Sequence, residues 1–231
     1  MQKNLREAAS RGNSAEDLRL LCELILVLTK ECGGDIIKLG SDAVALEYQR
    51  YGRNKATLIN KAYIESGEYR RKFDSITDNS VVNKTLYDCA KAALKHRSGT
   101  VYEDMYWIDG DTGKVVLSVI NSTDERAIVY TEKIKKAIRN CSNIITIHTH
   151  PSSMPPSIDD FNSCFGNGYK MGIVACHNGR LFKYTSGQPV SKPLYNLYVG
   201  DYLGSGCTEF DAQIKTLQKL KGNHMIDFEE V

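Results

Sequence analysis

Apolar positions along the chain first follow a helical period and then change to a strand period. Leu18, Leu21, Ile25 and Leu28 recur at the spacing of one helix face. A start signal, Ser14-Ala15-Glu16-Asp17, precedes them and a stop, Cys32-Gly33-Gly34, follows. A second helical stretch is expected over roughly 41–68. A third runs from Asn79 to Lys95, with Val82, Leu86, Ala90 and Leu94 on one stripe, and His96-Arg97-Ser98-Gly99 ends it. No proline interrupts any of this: none of the five in the chain precedes Pro151.

From Val101 onward β-formers take over. Val101 to Ile108 and Lys114 to Ile120 flank the turn residues Asp109-Gly110-Asp111-Thr112-Gly113, which predicts a hairpin. Thr131 to Asn140 reads as an amphipathic helix and Asn143 to His148 as a strand. A proline-rich loop then leads to a short helix over 158–165. Met171 to Cys176 and Arg180 to Tyr184, around His177-Asn178-Gly179, predict a second hairpin. Residues 186–208 show no period, and Glu209 to Lys221 reads as a last amphipathic helix. This order predicts an α/β fold, an α+β sandwich with a mixed sheet flanked by helices. It divides into a helical N-terminal extension (1–78), a central domain (79–186) and a C-terminal tail with one helix (187–231). No internal repeat is visible.

Composition changes this picture little. With 42% hydrophobic and 25% charged residues, the chain of 231 residues is neither disordered nor fibrous, and it is long enough to bury a core. Thirty basic against 28 acidic residues leave a net charge of +2. The longest basic cluster, Arg70-Arg71-Lys72, reads as a solvated helix face, so nothing calls for nucleic acid. Seven widely spaced cysteines without a C-x-x-C pair suggest reduced thiols and a cytoplasmic location. The first twenty residues are too polar for a signal peptide, and the apolar stretch Leu18 to Thr29 falls short of the about 20 residues a membrane span needs.

Chemistry concentrates in Ile147-His148-Thr149-His150-Pro151-Ser152-Ser153-Met154-Pro155-Pro156-Ser157-Ile158-Asp159-Asp160. Side chains alternate along a strand, so His148 and His150 share a face at its end, where two imidazoles can converge on one ion. Pro151 ends the strand, Pro155 and Pro156 stiffen the return, and Ser157 opens a helix with Asp160 one turn in. Two histidines and one carboxylate leave a tetrahedral position open for water, the pattern of catalytic zinc. The same residues also fit plainer roles. A His-x-His pair can be structural, and Ser157-x-x-Asp160 is a capping-box pattern. The conjunction of all these elements within 13 residues is what favours a metal.

The His-x-His-Pro, loop and Ser-x-x-Asp succession resembles the JAMM/MPN+ metalloprotease family, over about residues 80–185. That family includes zinc deubiquitinases of the proteasome lid and endosome, archaeal and bacterial relatives, and the RadC proteins; relatives also occur in phage tail assembly. Five residues separate Pro151 from Ser157, one fewer than in the family pattern. The resemblance implies a JAMM/MPN-like, cytidine-deaminase-like fold. It also implies Zn2+ held by His148, His150 and Asp160, Ser157 stabilising an oxyanion, and an upstream glutamate as general acid and base. Glu103, at the head of the strand ending Trp107-Ile108-Asp109, fits that place better than Glu125 in the loop Ser122 to Arg126. The implied reaction is hydrolysis of a peptide or isopeptide bond in a protein or peptide substrate, including ubiquitin-like conjugates. A non-catalytic MPN-like scaffold and a RadC-like protein acting near DNA are the alternatives.

Asp109-Gly110-Asp111-Thr112-Gly113 has the outline of a calcium loop, but position twelve is Ile120, so it reads as a turn. Ser157 lacks the Gly-x-Ser-x-Gly context of a serine hydrolase. Cys164 and Cys176 read as core residues and His177 as a turn histidine.

Overall fold

A computed structural model describes residues 54–120, 122, 131–139 and 141–231. The helices expected before residue 54, together with Cys22, Cys32 and the rival Glu125, lie outside the described residues. The elements run 3-10 turn (Lys55–Thr57), α1 (Lys61–Ile64), α2 (Gly67–Arg71), α3 (Ser80–Arg97), β1 (Met105–Asp109), β2 (Val115–Val119), α4 (Glu132–Arg139) and β3 (Ile144–His150). They continue with α5 (Ile158–Gly166), β4 (Met171–Cys176), β5 (Leu181–Ser186), α6 (Lys192–Gly204), α7 (Glu209–Gly222) and β6 (Ile226–Glu230).

The fold is α/β, with one mixed six-stranded sheet in the order β2-β1-β3-β4-β5-β6 and helices on both faces. Only β3 and β4 pair in parallel, because α5 crosses over between them. Every residue of β3 is buried, as expected for a strand at the sheet's centre. Its alternation serves two cores. Ile145 and Ile147 pack with Ile108, Ile173 and the α3 stripe Val82, Leu86, Ala90 and Leu94. Ile144 faces the other layer, with Trp107, Phe161, Val174 and Phe182. Thr146, His148 and His150 occupy the remaining positions of that second face, so β3 carries its polar groups into the layer beneath α5.

Local chemistry explains the elements. Asn79 caps α3 by accepting from the amides of Val81 and Val82. Asp109 accepts from the amides of Asp111 and Thr112, which closes the β1–β2 turn. The β4–β5 turn uses Gly179 at φ +88°.

Three expectations need correction. Of the helix expected over roughly 41–68, the described part, with the residues up to 78, is broken into a 3-10 turn and two short helices, capped by Asn54, Asn60 and Ser66, whose side chains compete with a continuous helix. Its Ile64, Tyr69, Phe73 and Ile76 are buried against α3 and the sheet, so residues 54–78 belong to the domain's core and are no extension of it. Tyr63, Tyr69, Phe73 and Tyr87 meet there at 5.5 to 6.4 Å between ring centroids. The C-terminal segment 187–231 holds two helices and the edge strand β6, not a tail with one helix, and β6 pairs with β5 from Phe182↔Glu230 to Ser186↔Ile226. Among the described residues no helix is long and apolar enough to cross a membrane.

Gly172 sits in register between Thr146 on β3 and Tyr184 on β5, and the tyrosine ring lies across it. A Cβ at this position would stand 2.1 Å from Tyr184 Cζ. Gly172→Ala is expected to cost about 1–3 kcal/mol through forced displacement of the ring. Urea denaturation checks this, and an unchanged midpoint would contradict it.

Candidate metal centre

The loop after β3 and the start of α5 fold back over the strand's end. Ser157 caps α5 in a reciprocal capping box: its hydroxyl accepts from the Asp160 amide at 3.2 Å, while Asp160 Oδ2 accepts from the Ser157 amide at 2.6 Å and hydroxyl at 2.8 Å. The capping and metal readings of Ser157-x-x-Asp160 are therefore not exclusive. The cap is what holds the Asp160 carboxylate over the histidines. Its Oδ1 lies 3.3 Å from His148 Nε2, and its Oδ2 lies 3.5 Å from His150 Nε2.

The two imidazole Nε2 atoms are 3.0 Å apart. In a tetrahedral site with metal–ligand bonds of about 2.0–2.1 Å, ligand atoms are about 3.3 Å from one another. The three separations lie near that edge length, the two to Asp160 through different oxygens, Oδ1 to His148 and Oδ2 to His150. His150 Nδ1 lies 3.0 Å from the Met154 carbonyl and donates to it, which leaves Nε2 as the ring nitrogen facing the centre. The five-residue loop, despite its length, delivers Met154 to this position.

Glu103 completes the ring of donors. Glu103, His148 and His150 each offer a ligand atom within 4.8 Å of the others, a group able to hold a metal ion. Glu103 Oε1 is 3.9 Å from His150 Nε2, further out than Asp160. Glu103 precedes β1 by two residues, in the approach to the strand rather than within it. Its placement comes from its neighbour. The Asp104 amide donates to Thr149 Oγ1 at 3.1 Å, and the Thr149 amide donates to the Asp104 carbonyl at 3.2 Å. Thr149 lies between the two histidines, so this clasp sets Glu103 beside them. The Asp104 side chain points the other way, fully buried, and accepts from Arg97 Nε at 2.5 Å and faces His96 Nδ1 at 2.7 Å. No role for Asp104 is read from the sequence. An aspartate just before the strand's first core position is its only signal.

The electrostatics follow from the crowding. Burial would lower His150, but the Asp160 hydrogen bond and charge, with Glu103 and the Met154 carbonyl, outweigh it and push it up to about 9. Burial raises Asp160, yet His148 and His150 hold it well below the usual carboxylate range. Glu103 is raised above its ordinary value by burial, against the pull of both histidines and with the push of Asp160. A buried carboxylate with a raised pKa beside a cation-accepting centre is suited to taking and returning a proton.

All five residues singled out in the sequence, Glu103, His148, His150, Ser157 and Asp160, line one cleft of about 400 Å³ between the end of β3 and α5. Ser157 spends its hydroxyl hydrogen on Asp160, so donation to anything in the cleft requires that O–H to swing away. Cys164 also lines the cleft, and Cys176 is buried with its thiol 3.5 Å from the Met154 carbonyl. His177 is buried in its turn and tied to the Thr57 carbonyl at 2.6 Å, away from the donor ring.

Two imidazoles and two carboxylates suit a borderline divalent cation. The protein is expected to bind one such ion per chain. Replacing both His148 and His150 by alanine is expected to abolish binding with an unchanged circular dichroism spectrum. In the metal-free protein His150 carries a proton at pH 7, because its value is raised to about 9. Binding must displace that proton. Affinity should therefore rise from pH 7 to pH 9 and level off above. Titration calorimetry in buffers of different ionisation enthalpy reads the released proton, and a flat affinity over this range would contradict the assignment. Compared with family models, curated proteins and solved structures, the chain matches none of them.

Proposed function

We propose that this protein is a zinc-dependent hydrolase of the JAMM type that cleaves a peptide or isopeptide bond. The observation that carries the proposal is the convergence of His148, His150 and Asp160 at tetrahedral ligand spacing with a raised-pKa glutamate, Glu103, beside them. His148, His150 and Asp160 would hold the zinc. When bound, zinc supplies a Lewis acid that brings the pKa of water toward about 7 and polarises a carbonyl.

The chain's own residues do the rest. Glu103 Oε1 accepts the proton of the attacking water and returns it to the departing amine nitrogen. Burial raises its pKa above the ordinary carboxylate value, which makes it a better proton acceptor than an exposed glutamate. Asp160 stays ionised, because the histidines hold it low and the Ser157 amide donates to it whether or not the hydroxyl turns away. The Ser157 hydroxyl, at the mouth of the same cleft, is the group placed to turn toward a developing oxyanion.

The substrate class in this proposal is a protein or peptide, with ubiquitin-like conjugates the first candidates. Glu103→Gln is expected to retain zinc by elemental analysis while hydrolysis falls by about 10²–10⁴-fold. Ubiquitin-like fusions, lysine-linked conjugates and quenched peptides are the assay panel. Unchanged cleavage in that variant, or loss of zinc with it, would overturn the role assigned to Glu103.

A further inference from the structure

The chain leaves β3 through a tight turn. Pro151 is its second residue, and the Ser153 amide donates to the His150 carbonyl at 3.1 Å. Ser153 then stands at φ +59°, in the left-handed region that residues with a Cβ avoid. Among the described residues one other non-glycine residue has a positive φ, His224 at +57°. That residue closes α7: the amides of His224 and Met225 donate back to the carbonyls of Lys221 and Leu220 at 2.9 and 3.1 Å. Ser153 ends no helix, so its conformation needs another reason. Of the five residues between Pro151 and Ser157, Pro155 and Pro156 have φ locked at about −65°. The reversal of so short a loop therefore falls on Ser152, Ser153 or Met154. Residues held in sparsely populated conformations persist where their surroundings over-determine them, and they gather at functional sites.

What holds Ser153 is the β4–β5 turn. The Ser153 hydroxyl accepts from the Asn178 amide at 3.0 Å. The His177 amide donates to the His150 carbonyl at 3.3 Å, so this turn grips the loop at two points. Glycine would take the backbone angle freely but would bring no hydroxyl; serine brings the latch. The outcome shows at the next residue. The Met154 carbonyl stands 3.0 Å from His150 Nδ1 and 3.5 Å from the Cys176 thiol. His150 and Cys176 are partners across the parallel β3–β4 pair, so the carbonyl is set over the ends of both strands. A carbonyl oxygen can only accept, so this contact orients the His150 ring whatever proton the other ring nitrogen carries.

We propose that Ser153 is a positioning residue for the metal centre: its left-handed backbone, latched to the Asn178 amide, turns the short loop so that the Met154 carbonyl meets the His150 ring. The proposal rests on the metal-binding reading of the same site. Ser153 does not line the cleft, whereas Ser152 and Met154 on either side of it do, so it acts through Met154. It makes the β4–β5 turn an outer support of the centre. Loss of the partner on a ligating histidine's second ring nitrogen lowers metal affinity by about 10–100-fold.

Ser153→Val resists the left-handed conformation through its branched Cβ, while Ser153→Gly permits it and removes only the side chain. Zinc affinity is measured by chelator competition, the visible spectrum with cobalt(II) in place of zinc, and stability of the metal-free proteins by urea denaturation. The valine variant is expected to bind zinc about 10–100-fold more weakly, with shifted cobalt bands. The glycine variant is expected to bind more tightly than the valine variant and to keep the wild-type cobalt bands, with a lower urea midpoint from the lost hydroxyl. A lower urea midpoint in the valine variant with affinity and spectrum unchanged would mean a purely structural role and overturn the proposal. Equal weakening by valine and glycine would also overturn it. Should the valine variant fail to fold, Ser153→Ala is compared with Ser153→Gly. Neither has the hydroxyl, so backbone preference alone separates them, and the alanine variant is expected to bind more weakly; equal affinity would overturn the proposal. A wild type that binds no zinc would defeat the metal reading and this role with it, whereas a zinc-binding wild type with an indifferent valine variant would defeat only the role of Ser153.

Discussion

Two imidazole nitrogens held 3.0 Å apart inside a protein repel one another unless something positive lies between them. A proton or a metal ion satisfies that constraint, and the surrounding structure is arranged to make either one favourable. Two carboxylates, Asp160 and Glu103, face the pair from opposite chain segments. Each is fixed by contacts that do not involve the histidines: a helix cap for Asp160 and a backbone clasp to Thr149 for Glu103. The charge balance of the site is thus built into β3, α5 and the approach to β1 before any ligand arrives.

The clasp has a second consequence. Thr149 points to the opposite face from the histidines that flank it, and there it meets Asp104, which in turn holds Arg97 at the end of α3. Arg97 also donates to the carbonyls of Ile120 and Ser122 beyond β2. One buried ion pair therefore ties together the last turn of α3, the segment leaving β2 and the residue next to Glu103. A buried pair of this kind is weak support for stability, yet removing either partner would strand the other charge in the core.

The parts of this arrangement legible in the sequence are those set by short-range geometry. Strand alternation puts His148 and His150 on one face, Pro151 ends the strand, and Ser157-x-x-Asp160 announces the cap. Glu103 is reached only through the family resemblance, and its nearness to His150 depends on the β1–β3 register, which pairs Met105 with His148 and no local pattern reveals. Helix α6 leaves no signal because its apolar and tyrosine residues follow no helical stripe, and strand β6 because Ile226-Asp227-Phe228-Glu229-Glu230 is short and half charged, as suits an exposed sheet edge. The role of Gly172 is hidden for the same reason as that of Glu103. Its meaning lies across three strands, in the row that joins Thr146 to Tyr184.

The capping box of α5 joins folding to occupancy. Asp160 closes the first turn of the helix with the same carboxylate that faces the histidines, so fraying that turn and dispersing the donor ring are a single event. A cation taken up there binds the folded chain and not the unfolded one. By mass action it would add about 2.7 kcal/mol of stability at a hundredfold excess over its dissociation constant. The local concentration of that ion would then set how often α5 opens, and the loop Ser152 to Pro156 would be most exposed to proteolysis in cells starved of it.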